Sequence, residues 1–252
     1  MSSRRDRAAP LLLGLSCAAV ILMVLGLILG VSRQSGAGPS SVSVLVPDSR
    51  ATYVGGHATA VLTFDDGPDP VWTPRLLRIL QAADAKAVFF LIGEQAAEQP
   101  ELVRQIAAQG HVIGNHTYTH TDPLRLTASE LAAEIDRTNE VITRITGVRP
   151  TLFRPPFGHA TEALESLMAQ RSMHTVLWDN SPSDYEQPSA ADMARGVLKT
   201  ARLGPGTIVL LHDGDAAGSA NSDRAQTCQA LTPIITGLRQ QGFTISTLVP
   251  EP

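Results

Sequence analysis

Paired histidines and adjacent carboxylates are the residues of this chain whose types and spacing could do chemistry. Asp65 and Asp66 are neighbours in sequence, and His116 and His120 lie four residues apart. Two imidazoles and one carboxylate on the same face can bind a divalent metal and leave positions open for water and substrate. The second carboxylate of the pair is then free to accept a proton. This combination predicts metal-assisted hydrolysis.

Two more positions supply groups that hydrolysis of an acyl group requires. Arg154 precedes a rigid Pro-Pro-Phe-Gly turn, and a guanidinium there can keep a nearby carboxylate ionised and oriented. His212 ends an apolar segment and can deliver a proton from a different strand. Taken singly, each motif has an ordinary explanation, since Asp-Asp-Gly-Pro is a common turn and histidine pairs often lie on surfaces or in cores. The remaining histidines belong to no such group and are predicted to be structural or surface residues: His57, His111, His159 and His174.

The motifs follow short apolar segments that predict strands. Most of these segments are continuously apolar rather than alternating, which is typical of parallel strands buried on both faces. Their ranges are 58–64, 86–92, 111–115, 151–153, 173–178, 206–212 and 243–249. Helix-period segments lie between them, so the chain is α/β, and about seven strands favour a distorted, incomplete (β/α) barrel over an open doubly wound sheet. In both folds, sites form at the carboxyl ends of the strands, where these motifs lie.

Two of the predicted helices have recognisable end signals. Thr73 and Pro74 read as an N-cap and a first helical residue. Thr127 and Glu130 fit a capping box, and Gly147 fits the end of the same helix.

Composition and charge exclude several classes of protein. Of 252 residues, 43% are hydrophobic and 17% charged, which supports a packed core and excludes wholesale disorder. The net charge of −4 gives no basic stripe for nucleic acid. Two cysteines without a Cys-x-x-Cys motif exclude a disulfide scaffold and a thiolate zinc site.

The N-terminal region is predicted to be a membrane-targeting segment rather than part of the folded domain. Residues 11–31 carry no charge and, as a helix, would reach about 30 Å, the thickness of a bilayer core. More arginines precede this segment than closely follow it, which places residues 1–10 in the cytoplasm and the rest outside. Residues 32–56 then form a linker, and a catalytic domain occupies residues 57–252. A cleaved signal peptide, cut near the small residues 35–37, is the alternative, with secretion as its consequence.

The ordered motifs resemble those of one known family. TFDDGP, HTYTH, RPPFG, a later Asp followed by an aromatic residue, and LLH occur in that order. The set resembles the polysaccharide deacetylase family, carbohydrate esterase family 4, over residues 57–249. The resemblance implies a distorted (β/α) barrel that removes acetyl groups from N-acetylglucosamine polymers or acetylated xylan, with one divalent metal ion. Zn²⁺ is expected, and Co²⁺ or another divalent ion is the alternative.

The resemblance also implies a role for each motif residue. On the metal side, Asp66, His116 and His120 look like the ligands, Asp65 like the catalytic base, and Arg154 like the residue that orients Asp65.

Further positions follow from the same likeness. The backbone N–H near Phe157 would form part of the oxyanion hole, Leu210 would line the acetyl pocket, and His212 would be the general acid with Asp184 as its partner. The fourth motif departs from the family's Asp-x-x-Asp-Trp, since Ser181 replaces the first Asp and Tyr185 replaces the Trp. The resemblance therefore leaves the substrate preference undetermined.

The sequence thus predicts a membrane-anchored, metal-dependent deacetylase with a monomeric catalytic domain. Its expected substrate is N-acetylglucosamine in a cell-wall glycan, with peptidoglycan first and chitin oligosaccharides or acetylxylan as alternatives. A small-amide hydrolase and a glycan-binding pseudoenzyme on the same fold are the remaining possibilities. No nucleic-acid partner is expected.

Overall fold

Seven parallel strands form the frame of the part of the chain that the structure describes. The computed structural model describes residues 58–201, 206–216 and 223–248. The strands pair in the spatial order β5-β4-β3-β2-β1-β6, and β7 pairs with the first half of β1. Their bounds are β1 (Ala58–Gly67), β2 (Val88–Leu91), β3 (Val112–Asn115), β4 (Leu152–Phe153), β5 (His174–Thr175), β6 (Thr207–His212) and β7 (Phe243–Ser246). The prediction of about seven parallel strands is confirmed.

Helices connect the strands and cover the outer face of the sheet. Seven α-helices occur in the described ranges: α1 (Thr73–Ala82), α2 (Gly93–Glu98), α3 (Pro100–Ala108), α4 (Ala128–Thr146), α5 (Glu162–Arg171), α6 (Ala190–Thr200) and α7 (Ala225–Gln240). Single 3₁₀ turns occur at Pro123–Arg125, Pro156–Gly158 and Asp184–Glu186. The turns at Pro156–Gly158 and Asp184–Glu186 carry predicted site residues.

Alternation along β1 shows how the sheet divides the interior. Ala60, Leu62 and Phe64 pack in the large outer core against the helices. Val61 packs in a smaller core on the concave side of the sheet. Since successive side chains point to opposite faces, Asp65 at the carboxyl end of β1 faces the concave side.

The sheet curls almost into a ring. β4 and β5 contain only two residues each, and the segment after β5 reaches across to β6. There the Leu210 N–H donates to the Asn180 carbonyl at 2.8 Å, and Asn180 pairs with Val209 in an isolated parallel bridge. The result is the incomplete (β/α) barrel that the sequence predicts.

The helix-end predictions have two outcomes. The capping box of Thr127 and Glu130 is confirmed, and Gly147 ends α4 with a left-handed φ of 76°. The prediction that Thr73 is an N-cap is wrong, because Thr73 is already the first residue of α1. The Asp69 carboxylate accepts hydrogen bonds from the backbone N–H groups before α1, which leaves the Thr73 hydroxyl to donate to Asp213 at 2.5 Å.

The predicted membrane segment, residues 11–31, lies outside the described residues, as do the linker and His57. Among the helices of residues 58–201, 206–216 and 223–248, none is long and apolar enough to cross a bilayer.

Candidate active site

A cleft of about 660 Å³ opens at the carboxyl ends of β1, β3 and β6. β1 and β6 pair in register with Asp65 beside His212 and Thr63 beside Leu210, so these four side chains share one face of the sheet. The cleft is lined by Asp65, Asp66, His116, His120, Pro155, Phe157, Trp178, Tyr185, Leu210, His212 and Ala216.

Asp66, His116 and His120 converge at one wall of this cleft. The Asp66 Oδ1 atom lies 3.4 Å from His116 Nε2 and 3.2 Å from His120 Nε2. One ligand atom from each of the three lies within 4.8 Å of the others. Asp66 sits where the register of β1 shifts, with a φ of 69°, and such a bulge turns a side chain away from its ordinary direction. Because of the bulge, the adjacent carboxylates of Asp65 and Asp66 point in different directions and can have different chemical roles.

The hydrogen bonding of these three residues fits a bound divalent cation. The Asp66 Oδ1 atom is buried and accepts no hydrogen bond from any described group, a costly state for a carboxylate oxygen unless a cation neutralises it. The His116 ring donates through Nδ1 to the Arg154 carbonyl at 2.7 Å. That bond selects the tautomer whose Nε2 lone pair faces Asp66, the arrangement of a metal-binding histidine.

The charges at this wall shift the pKa values of all three residues. Burial acts to raise the pKa of Asp66, but the nearby imidazoles of His116, His212 and His120 hold it well below its usual range. Burial acts to lower the pKa of His116, but the Asp65 and Asp66 carboxylates raise it. Burial, with the charge of His116, lowers the pKa of His120 and favours the neutral ring that ligates metal.

The loop between the two histidines has a strained backbone. Thr117 and His120 have φ values of 66° and 59°, in the left-handed region. That conformation costs an L-residue roughly 1–2 kcal/mol and is more unusual for a β-branched residue such as Thr117. The four-residue spacing is thus realised by a tight loop and not by a helical turn.

Arg154 links the base and the metal wall. Its guanidinium is fully buried, and Nη1 donates to Asp65 Oδ1 at 2.7 Å and to the Thr63 hydroxyl at 2.8 Å. Nε donates to the Val176 carbonyl at 3.0 Å. Asp65 Oδ2 is left facing His116 Nε2 at 3.7 Å. A fixed, charge-assisted bond of this kind keeps one oxygen of Asp65 engaged and aims the other at the cleft.

His212 and Asp184 form a buried pair on the opposite wall. His212 donates through Nδ1 to Asp184 Oδ1 at 2.7 Å, and its backbone N–H donates to Asp184 Oδ2 at 2.9 Å. The Thr227 hydroxyl donates to the same Oδ2 atom at 3.0 Å. Burial opposes charge on His212, but the charge of Asp184 and the bond to it raise its pKa to about 9. The same histidine lowers the pKa of Asp184 against the effect of burial.

Phe157, Tyr185 and Leu210 shape the mouth and floor of the cleft. The Phe157 ring is 60% exposed and meets His120 edge to face at 5.0 Å. The Tyr185 ring is 51% exposed and stands perpendicular to the His212 ring at 5.9 Å. Leu210 is buried and lines the same cleft. The structure therefore places eight of the ten predicted site residues in the lining of one cleft. The other two, Arg154 and Asp184, are buried behind it and bind Asp65 and His212.

Sequence reasoning missed several neighbours of these residues. Thr63 lies two positions before Asp65 on the same face of β1, so strand alternation could have found it. Trp178, which lines the cleft, belonged to a predicted strand segment. Thr227 has no local signal, because it is 43 residues away from Asp184 in sequence.

The remaining histidines of the described ranges have other surroundings. His111 is buried and accepts the Ala87 N–H at Nδ1, in keeping with a structural role. His159 pairs with Asp122 at 2.8 Å, and its ring lies 5.9 Å from that of Phe157.

Comparison with known proteins gives a consistent result. A profile of the family described as "Polysaccharide deacetylase" matches residues 54–176. A chitooligosaccharide deacetylase of Bradyrhizobium is 37% identical over 201 residues, which cover 77% of this chain and 91% of that protein. A peptidoglycan-N-acetylglucosamine deacetylase of Bacillus cereus is 36% identical over 189 residues, covering 74% and 84%.

A solved structure agrees with these relatives. The Bc1960 peptidoglycan N-acetylglucosamine deacetylase superposes with a TM-score of 0.71 at 32% identity, covering 82% of this chain and 89% of that one. The relatives support a hydrolase that acts on the acetamide of a polysaccharide, and the chain belongs to the polysaccharide deacetylase family.

Proposed function

We propose that this protein is a Zn²⁺-dependent deacetylase that hydrolyses the acetamide of N-acetylglucosamine residues in a cell-wall glycan. The observation that carries the proposal is the arrangement of three groups around one cleft. Asp65, fixed by Arg154, lies next to the triad of Asp66, His116 and His120, and the His212–Asp184 pair faces them. These are the base, the metal ligands and the acid that hydrolysis of an amide requires.

The chain's own residues divide the proton transfers between them. When bound at the triad, a divalent metal lowers the pKa of water and polarises an acyl oxygen. Asp65 accepts the proton of the attacking water at Oδ2, since Arg154 occupies Oδ1. His212, charged at neutral pH by its raised pKa, donates through Nε2 to the leaving nitrogen as the C–N bond breaks. The products are acetate and a free amine on the sugar.

Three other residues would bind and orient the acetamido group. The Phe157 backbone N–H is the proposed donor to the developing oxyanion. Leu210 is the proposed contact for the acetyl methyl, because it is apolar and buried at the floor of the cleft. Tyr185 forms the wall beside His212, where its exposed ring can contact a sugar.

Peptidoglycan is the proposed natural substrate. Residues 11–31 are proposed to anchor the chain in the bacterial cell membrane with the catalytic domain outside. A flexible linker of about 25 residues spans roughly 25–30 Å, a reach that includes the cell wall and not a distant chitin or xylan. The relatives named above act on peptidoglycan or chitooligosaccharides, and both substrates present the same acetamido sugar.

A substrate panel tests this proposal. The full-length protein in detergent, loaded with Zn²⁺, is assayed for acetate release from peptidoglycan, chitin oligosaccharides, acetylxylan and simple amides. Release from the two N-acetylglucosamine polymers is expected. Release from acetylxylan or simple amides alone would replace the proposed substrate, and binding without release would indicate a pseudoenzyme.

Two cellular measurements test the substrate and the anchor. Deleting the gene should raise the acetylated fraction of wall glucosamine, measured by mass spectrometry of muropeptides. Protease added to wall-stripped cells should remove the domain and leave the N-terminus in the membrane. Unchanged muropeptides would argue against peptidoglycan, and a mature protein in the medium that starts near Gly38 would instead support signal cleavage.

A further inference from the structure

Glu134 on α4 binds the loop that joins His116 to His120. A single carboxylate oxygen, Oε2, accepts hydrogen bonds from the Tyr118 N–H at 2.9 Å, the Thr119 N–H at 2.7 Å and the Thr119 hydroxyl at 3.0 Å. Tyr118 and Thr119 are residues between the two histidines. Glu134 therefore binds the loop at its middle.

The rest of the loop is held by other groups. The Asn115 side chain accepts the Thr117 N–H at 2.8 Å. The first N–H groups of α2, from Gly93 and Glu94, donate to the carbonyls of Thr117 and Tyr118 at 2.9 and 3.0 Å. The carbonyl side of the loop is thus bound by α2, and Glu134 binds two successive N–H groups on its other side.

The loop needs such restraint because its backbone is strained at both ends. Thr117 and His120 occupy the left-handed region, a conformation that persists only where the surroundings impose it. If the N–H groups of Tyr118 and Thr119 lost their acceptor, the loop could relax toward an ordinary conformation. That relaxation would change the position of His120 relative to His116.

We propose that Glu134 is a positioning residue for the metal site, which sets the separation and orientation of His116 and His120. The proposal rests on the proposed function, since it presumes that these histidines bind a metal. Glu134 acts through the loop, since the groups that it binds are the Tyr118 and Thr119 N–H groups and the Thr119 hydroxyl. Groups that orient metal ligands from outside the ligand set commonly change metal affinity by 10- to 100-fold when they are removed.

The test compares Zn²⁺ affinity among matched variants of the full-length protein. Glu134→Ala removes the acceptor, and Glu134→Gln keeps an acceptor oxygen of the same reach without the charge. Glu140→Ala is the control, because Glu140 is exposed on the same helix and its carboxylate bonds to none of the described residues. Affinity is measured with Zn²⁺ alone in competition with a chromophoric chelator.

We expect Glu134→Ala to weaken Zn²⁺ binding by 10- to 100-fold, Glu134→Gln to fall between it and the wild type, and Glu140→Ala to match the wild type. The visible spectrum of the Co²⁺-loaded protein should change in Glu134→Ala and not in Glu140→Ala, because it reports the geometry of the ligands. A residue that only stabilises the fold would lower the unfolding temperature of the metal-free protein without altering that spectrum.

The outcomes separate this proposal from the proposed function. If the wild type binds Zn²⁺ and both Glu134 variants bind it within threefold of the wild type with unchanged Co²⁺ spectra, the positioning role is wrong and the metal site stands. If the wild type and His116→Ala bind Zn²⁺ equally, the metal site itself is wrong and the positioning role falls with it. Should Glu134→Ala fail to fold, the isosteric Glu134→Gln decides the question by its affinity and spectrum.

Discussion

The two walls of the cleft are built in different ways. The metal wall, formed by Asp66, His116 and His120, takes its residues from the segments at the ends of β1 and β3. The Arg154 side chain binds the base, Asp65, and the Arg154 carbonyl accepts a hydrogen bond from His116. The acid wall is assembled from distant parts of the chain, since Asp184 precedes His212 by 28 residues and receives a further bond from Thr227 on α7. The first wall depends on residues at the carboxyl ends of strands, and the second on contacts between a strand and elements outside the sheet.

This difference implies that the walls can be disabled separately. The His212–Asp184 pair is buried and carries its own compensating charge, so its geometry does not depend on a cation. The triad, by contrast, leaves Asp66 Oδ1 without a hydrogen bond from the described residues. Damage to the metal wall should remove metal and activity together, whereas damage to the acid wall should remove activity alone.

The largest effect is expected from His116→Ala. Loss of one of three ligands should lower bound metal well below one equivalent and abolish deacetylation. Metal content is measured by elemental analysis of protein purified with Zn²⁺, with His111→Ala as a histidine variant outside the cleft. Full occupancy in His116→Ala would show that the cation is held elsewhere.

Asp65→Asn should lower the rate by about 10²–10⁴-fold with metal retained. The amide keeps the size of the side chain but cannot accept the proton of water. Single-turnover acetate release and metal content, measured on the same sample, check both halves of the expectation. Activity within about threefold of the wild type would assign the base to another group.

Asp184→Asn should change the pH profile of the reaction without removing the metal, which distinguishes the acid wall from the metal wall. Burial alone depresses the pKa of His212, and the Asp184 carboxylate is the principal group that raises it to about 9. A general acid is active below its pKa, so the alkaline limb of kcat/KM should move to lower pH in the variant, with a fall in rate of about 10–100-fold at pH 8. Bound Zn²⁺ should stay near one equivalent. An unmoved alkaline limb would mean that another group donates the proton.

Thr227→Val should have the smallest effect, a loss of less than about tenfold. It removes one of three hydrogen bonds to Asp184 and leaves the His212 contacts in place; a bond to a charged group contributes about 1.5–3 kcal/mol, part of which falls on stability rather than rate. Thr236→Val, an exposed position on the same helix, is the matched control. Equal rates in both variants would remove Thr227 from the account of the acid wall.

The same contrast explains how much the sequence could predict. The strands were predictable because they are continuously apolar, and the metal wall because its residues lie in short motifs at strand ends. The residues that surround the acid wall were not predictable from sequence, since Thr227 contacts Asp184 only after the chain has folded around β6. The start of α1 was also mispredicted, because Thr73 fits an N-cap locally while its hydroxyl donates to Asp213 across the fold.

Metal removal and return under one acetate assay tests the central claim most directly. The full-length protein is stripped with a chelator, assayed on a chitin oligosaccharide, and assayed again after one equivalent of Zn²⁺ is added, beside Asp65→Asn and His116→Ala. The account predicts that Zn²⁺ restores release of one acetate for each amine formed in the wild type, and in neither variant. Acetate release by the stripped wild type at the full rate, or restoration of Asp65→Asn to the wild-type rate, would contradict it.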